Sequence, residues 1–157
     1  MDGDEAFEAL MAGNGRYVAG APVHPRQTAA RRAETAGGQH PFAVVITCAD
    51  SRVPPEILFD QGIGDLFVIR VAGNITGNAV VGSVEYAAEH LGVPLVVVLG
   101  HTHCGAVNAA IVGDGTPGRI AHIVGRIAPA VDRARELPGE LAGNVVRANV
   151  EIVVDEL

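Results

Sequence analysis

The sequence predicts an α/β protein with an open, mainly parallel β-sheet of about four strands, flanked by helices. Three short apolar runs, at residues 42–46, 66–71 and 95–99, have the length and the valine and isoleucine content of buried strands. Segments with helical composition separate these runs. Strands that alternate with helices in this way form parallel sheets.

Composition limits both the class of protein and its partners. The chain has 157 residues, of which 48% are hydrophobic and 18% charged, so we expect one domain with a substantial core. A formal charge of -7 gives no reason to expect nucleic acid as a partner. No apolar run approaches the roughly 20 residues that cross a bilayer, and no charged leader precedes one. We therefore expect a cytoplasmic protein that does not enter membranes.

The first 38 residues are predicted to form a helical arm. A short amphipathic helix is expected at residues 4–11, broken by glycines at 13–15, and a second helix at residues 27–36. This arm has too little apolar surface to fold alone. It should lie on the main domain or pack on a partner subunit.

The rest of the chain supplies the helices of the sheet layers. They are expected at residues 54–59, 78–91, 104–112, 120–135 and 140–157. A Gly-Asp-Gly turn at residues 113–115 should end the third of these helices. Pro129 should kink or break the fourth, because proline removes a backbone hydrogen bond.

The polar residues that follow two predicted strands have the chemistry of a metal centre. Cys48, Asp50 and Arg52 follow the first strand, and His101 and Cys104 follow the third. In open α/β sheets, ligands bind at the carboxyl ends of the strands. Two thiolates and an imidazole suit zinc and leave one position for water, whose pKa a catalytic zinc lowers to about 7. Asp50 could accept a hydrogen bond from that water, with Arg52 holding the carboxylate ionised.

Each of these residues also has an ordinary structural explanation. A cysteine at a strand end is usually a small core residue, and a histidine beside glycine usually belongs to a loop. Asp50 and Arg52 could equally form a structural salt bridge. His103 is expected to be exposed or hydrogen-bonded rather than a ligand, since His101 is expected to point the other way.

The two signatures also resemble a known family. Residues 48–52 (CADSR) and 100–106 (GHTHCGA) look like the paired motifs of the β-class carbonic anhydrases. Residues 10–17, 65–70 and 83–87 resemble family stretches in the same order, so the resemblance covers most of the chain.

The resemblance implies a specific activity. One zinc ion per chain would be held by Cys48, His101 and Cys104. Asp50 and Arg52 would form the catalytic dyad. The reaction would be the reversible hydration of carbon dioxide to bicarbonate and a proton.

The resemblance also implies a substrate pocket and an assembly. By motif position, the pocket would be lined by Gln39, Phe67, Ala72 and Tyr86, and the Gly105 N–H could face the substrate. The family's active sites lie at a subunit interface. A homodimer or homotetramer is therefore expected, with the arm packed on the partner.

Three features concern departures from the family or variation within it. Some members hold an inhibitory bicarbonate with a Trp–Arg–Tyr triad; Arg70 matches the arginine, but Val45 stands at the tryptophan position, so that site should be absent or altered. The chain ends at Leu157, before the family's final edge strand and tail, which we expect to be missing from the single domain of residues 1–157. In some members the aspartate itself ligates zinc in a closed state, and Asp50 could do so here.

Three other functions are compatible with some of these motifs. A related hydrolase could use the same site on carbon disulfide or carbonyl sulfide, because these substrates are also linear and apolar. A non-catalytic zinc-binding module would keep the ligands without the turnover. A dithiol redox protein is disfavoured, because the chain has no C-x-x-C pair and would not need His101.

Overall fold

The computed structural model describes residues 1–113, 115 and 117–157. Strands β1 (Ala43–Thr47), β2 (Leu66–Arg70) and β3 (Val96–Leu99) form an open parallel sheet in the order β2-β1-β3. The predicted α/β class is confirmed, and each strand begins and ends within one residue of its predicted bounds. Of the roughly four strands expected for this layer architecture, the described residues form these three.

Helices connect and follow the strands. Seven α-helices occur in the described part of the chain: α1 (Gly3–Val18), α2 (Ala29–Glu34), α3 (Pro55–Leu58), α4 (Asn78–Glu85), α5 (Gly105–Val112), α6 (Ile120–Ala134) and α7 (Leu141–Asp155). Short 3₁₀ turns occur at Thr35–Gly37 and Ala72–Asn74, and a π-helical turn at Tyr86–His90 follows α4. Asp114, in the turn predicted after α5, lies outside the described residues. Within those residues, no helix combines the length and apolar character that a membrane span requires.

Strand β1 is buried along its whole length. Ala43, Val44, Val45 and Ile46 are fully buried, as expected for a central strand covered on both faces. Thr47, at the carboxyl end of β1, is also buried. Its hydroxyl donates a hydrogen bond to the Leu99 carbonyl over 3.1 Å, which satisfies the polar group.

The backbone contacts divide the chain into two compact units. The first unit comprises residues 1–46, 51–69 and 82–97, and the second comprises residues 47–50, 70–81 and 98–157. All three predicted zinc ligands lie in the second unit.

In the first unit, the predicted break at residues 13–15 is wrong, because α1 continues through them to Val18. A Cβ atom on Gly13 would lie 1.7 Å from the Phe59 carbonyl oxygen. This glycine therefore lets the backbone at Phe59 approach helix α1 closely. Asn14 donates its side-chain N–H to the Leu58 carbonyl at the same contact, over 3.0 Å. The glycine therefore serves packing rather than a turn.

The arm is tied to its own chain through Asp60. This buried carboxylate accepts hydrogen bonds from Arg16 Nε at 2.6 Å and from the backbone N–H groups of Val23 and His24 at 3.0 and 2.9 Å. These interactions, the Val23 hydrogen bond foremost, lower the pKa of Asp60 from 3.8 to about 2. The arm thus contacts the main domain, one of its two expected locations. Its packing on a partner stays a prediction.

In the second unit, α5, α6 and α7 pack against one another. Pro129 does not break α6, which runs through it without interruption, so of the two predicted effects the break is wrong and a kink stays a prediction. Helix α7 also lies directly against the residue before His101. A Cβ atom on Gly100 would lie 2.8 Å from side-chain carbons of both Val146 and Val150. The glycine allows α7 to approach the carboxyl end of β3 this closely.

Candidate metal centre

Cys48, His101 and Cys104 converge on one point in the second unit. One ligand atom from each lies within 4.8 Å of the others, and the two sulfur atoms are 3.9 Å apart. Cys48 follows β1, His101 follows β3, and Cys104 is the residue before the first turn of α5. Two sulfur atoms each ~2.3 Å from a tetrahedral zinc lie about 3.8 Å apart. The sulfur separation therefore fits a shared zinc ion.

The histidine ring is oriented for ligation. His101 Nδ1 lies 2.8 Å from the Thr102 carbonyl oxygen, which can only accept a hydrogen bond, so the proton belongs on Nδ1. Nε2 then carries the lone pair. This atom is buried and has no hydrogen-bond partner among the described residues. A buried, unpartnered ring nitrogen is costly unless it binds something, and a carbonyl on the opposite nitrogen is the usual support of a metal ligand.

The sulfur atoms lie in an environment that a cation would complete. Cys48 and Cys104 are both buried and unbridged. Burial raises the pKa of the Cys104 thiol, and the neighbouring Cys48 raises it further. A bound divalent cation reverses this effect, because a coordinating thiol is deprotonated. The donor set therefore fits zinc.

Arg70 holds the backbone of the segment that carries Cys48. Its Nε donates to the Cys48 carbonyl over 3.0 Å, and its Nη2 donates to the Asp50 carbonyl. Sequence reasoning considered Arg70 only for the inhibitory site and missed this contact. The sequence signal that could have pointed to this contact is the position of Arg70, a charged residue at the carboxyl end of strand β2.

The predicted dyad residues differ in exposure. Asp50 is half-buried and lies in the second unit, two residues after Cys48. Arg52 is exposed and lies in the first unit. Their pairing stays a prediction.

The predicted substrate residues are distributed over both units. In the first unit, the rings of Phe67 and Tyr86 lie together, with centroids 6.3 Å apart, and Gln39 is exposed. In the second unit, Ala72 is half-buried, and the exposed Gly105 is the first residue of α5. The structure thus brings Phe67 and Tyr86 together. The substrate roles of all five residues stay predictions.

A cavity of about 410 Å³ lies beside Cys104. It is lined by Thr102, His103, Cys104, Asn108, Glu140, Ala142, Gly143 and Val146. The cavity gives the Cys104 end of the metal cluster room for water or a small molecule. Its α7 wall could not be found from the sequence, because nothing local places residues 140–146 near Cys104.

Comparison with known proteins identifies relatives of this chain. The family model described as carbonic anhydrase matches residues 43–157, which include the whole metal cluster. Carbonic anhydrase 2 of Mycobacterium tuberculosis is 55% identical over 130 residues, covering 80% of this chain and 63% of the relative. The chain thus spans less than two thirds of the length of this curated relative.

Solved structures give the same grouping. The β-carbonic anhydrase CcaA superposes with a TM-score of 0.71 at 27% identity, over 95% of this chain and 72% of that one. A structure from work on two tetrameric β-carbonic anhydrases of Sordaria macrospora superposes with a TM-score of 0.68 at 26% identity, over 96% and 80% of the two chains.

Proposed function

The chain belongs to the β-carbonic anhydrase family, and from this premise we propose that it catalyses the zinc-dependent, reversible hydration of carbon dioxide to bicarbonate and a proton. One observation carries the proposal. The ligand atoms of Cys48, His101 and Cys104 lie within 4.8 Å of one another. This is the donor set of a catalytic zinc with three protein ligands.

Each chain would hold one ion through the two sulfurs and His101 Nε2. Zinc bound there would lower the pKa of a water molecule from its bulk value to about 7 and so supply the nucleophile near neutral pH. The hydrogen bond from His101 Nδ1 to the Thr102 carbonyl would fix the tautomer that presents Nε2 to the ion.

Asp50 and Arg52 would prepare the attacking water. The Asp50 carboxylate would accept a hydrogen bond from the water and orient its lone pair towards carbon dioxide. Arg52 would keep that carboxylate ionised. The hydrogen bond from Arg70 to the Asp50 carbonyl supports this assignment, because it holds the backbone from which the carboxylate extends.

The substrate pocket would match a small, linear, apolar gas. Phe67, Tyr86 and Ala72 would supply apolar surface. The Gln39 amide and the Gly105 N–H would stabilise the negative charge that develops on the substrate oxygens.

We infer that the chain is one domain, residues 1–157, that assembles as a homodimer or homotetramer with active sites at the subunit interface. Exposed apolar side chains on α1 support this assembly: Phe7 is 52% exposed and Met11 47%. The arm, residues 1–38, would pack on the partner through this surface. The cytoplasm is the proposed location, because a reducing compartment keeps Cys48 and Cys104 as the unbridged thiols seen here.

Metal analysis combined with stopped-flow kinetics tests the proposal. Zinc-loaded parent protein should hold one zinc per chain and hydrate carbon dioxide, whereas Cys48→Ala should lose both the zinc and the activity. His122→Ala is the control, because this exposed histidine lies outside the metal cluster. A Cys48→Ala variant with parental turnover would refute the assignment. Faster turnover of carbon disulfide or carbonyl sulfide than of carbon dioxide by the parent would favour the hydrolase instead.

A further inference from the structure

A chain of two hydrogen bonds connects helix α7 to one of the metal-site sulfurs. The side-chain N–H of Asn149, in α7, donates to the Gly73 carbonyl over 2.9 Å. The backbone N–H of Gly73 donates to Cys48 Sγ over 3.2 Å. All three residues are buried and lie in the second unit.

Gly73 lies in a backbone conformation that favours glycine, at a position where a side chain would meet its neighbours. It has a φ of 72°, in the left-handed region that glycine tolerates best. A Cβ atom there would lie 2.6 Å from Ile127 Cδ1 and 3.0 Å from the Ala106 methyl carbon. A flexible glycine at this position must be held from outside if its N–H is to point steadily at one atom.

The hydrogen bond from Asn149 holds the peptide group that follows Gly73. The bond from Gly73 to Cys48 involves the peptide group that precedes it. The two bonds therefore constrain Gly73 through the peptide groups on both of its sides. The turn is closed by a third bond, from the Asn74 N–H to the Val71 carbonyl over 3.0 Å.

The burial of Asn149 is costly unless its amide has a partner. It is 2% exposed, and its buried neighbours in α7 are apolar, with Val145, Ala148 and Val153 on the same packed side. An apolar residue would pack there without a polar group to satisfy. The Gly73 carbonyl is thus the interaction that accounts for an amide at this position.

We propose that Asn149 is a positioning residue of the metal centre, which keeps the Gly73 N–H directed at the Cys48 sulfur. The inference rests on the proposed zinc site. A hydrogen bond from an amide stabilises a thiolate and reduces the electron density that the sulfur gives to the metal. This matters at a site with two thiolates, since their charge makes the ion a weaker Lewis acid. Without Asn149, the Gly73 N–H and the Cys48 sulfur that it contacts would be less firmly positioned, so the ligand atoms would be less well placed and the metal more weakly held.

Two substitutions and a matched control test the inference. Asn149→Leu keeps the size of the side chain, and Asn149→Ala keeps helix propensity; neither can donate to Gly73. Both should bind zinc about 10-fold more weakly in competition with a chelator, the lower end of the range for losing a partner of a metal ligand, because Asn149 acts on Cys48 through Gly73. Asn144→Leu is the control, because Asn144 is an amide of the same helix whose N–H donates to the Pro138 carbonyl at 3.1 Å. It should bind zinc as the parent does.

Cobalt-loaded protein gives a readout that a purely structural role would not change. Loss of the hydrogen bond makes the Cys48 sulfur a better electron donor, so its charge-transfer band to Co²⁺ should shift to longer wavelength in either Asn149 variant and not in Asn144→Leu. Zinc affinity and band position are measured on folded protein only. Either Asn149 variant is enough for the test if the other does not fold. Zinc affinity and band position equal to the parent would overturn the inference alone. A parent chain that takes up no zinc would overturn the proposed function together with it.

Discussion

The sulfur atoms of Cys48 and Cys104 lie 3.9 Å apart although 56 positions separate the two residues. A disulfide would require an S–S distance of about 2.05 Å, so the pair is not bridged. Both side chains are buried, and the one ring nitrogen beside them is unpartnered among the described residues. Two buried sulfur atoms and an unpartnered ring nitrogen together form a cluster that suits a bound cation better than redox exchange.

Metal removal should expose the two thiols. In zinc-loaded protein, Cys48 and Cys104 should react with a thiol reagent only slowly. Chelation should accelerate the reaction, because without the ion nothing joins the three segments that carry the ligands and they open locally. Labelling rates with and without chelator measure the effect, and restored zinc should reverse it. Equal rates in both conditions would instead favour a redox pair.

Replacement of Asp50 should separate metal binding from turnover. Asp50→Asn should keep zinc and lose about 100-fold or more of the carbon dioxide hydration rate, since a neutral amide accepts a hydrogen bond from the attacking water more weakly than a carboxylate does. Stopped-flow kcat and metal content on the same sample measure the two effects. Asp132→Asn, at an exposed carboxylate, is the control. Turnover at the parental rate would contradict the dyad, and loss of zinc would indicate that Asp50 is a ligand.

Two glycines of α1 should respond in opposite directions to the same substitution. Gly13→Ala should lower the free energy of unfolding by about 1–3 kcal/mol, because the new methyl group meets the rigid Phe59 carbonyl. Gly15→Ala should raise it by about 0.5–1 kcal/mol, because no atom beyond its own turn of helix lies within 4 Å of the new Cβ and alanine is the better helix former. Urea denaturation measures both. A stabilised Gly13→Ala would mean that α1 can shift away from Phe59.

Asp60 should make the fold sensitive to acid. Its pKa falls from 3.8 to about 2 on folding, so the unfolded chain takes up the proton first as the pH drops. The stabilisation is therefore complete above about pH 4 and is lost between about pH 4 and 2. Denaturation of metal-free protein at several pH values should show this loss. Asp60→Asn should be less stable at neutral pH, with a flatter slope in that range, and Asp132→Asn should keep the parental slope.

The predictions from sequence succeeded where the signal was local. The runs of valine and isoleucine in β1, β2 and β3 predict strands because side-chain shape and apolarity act within a few residues. Candidate metal ligands could be named for the same reason, since Cys48 and His101 closely follow strands and Cys104 lies just before α5. The predicted helix breaks at Gly13 and Pro129 were wrong because a glycine or proline has a local preference that packing can override.

The sequence by itself determined the fold class, the ligand chemistry and the candidate catalytic residues, because these depend on residue type and on position relative to strand ends. Only the tertiary structure decided what supports them. Arg70 donates to the Cys48 carbonyl, and Asn149 donates to the Gly73 carbonyl 76 positions earlier in the chain. Both contacts join segments that are distant in the sequence. No periodicity or motif encodes such contacts, since they exist only once the packing of α7 and the turn after β2 brings their partners together.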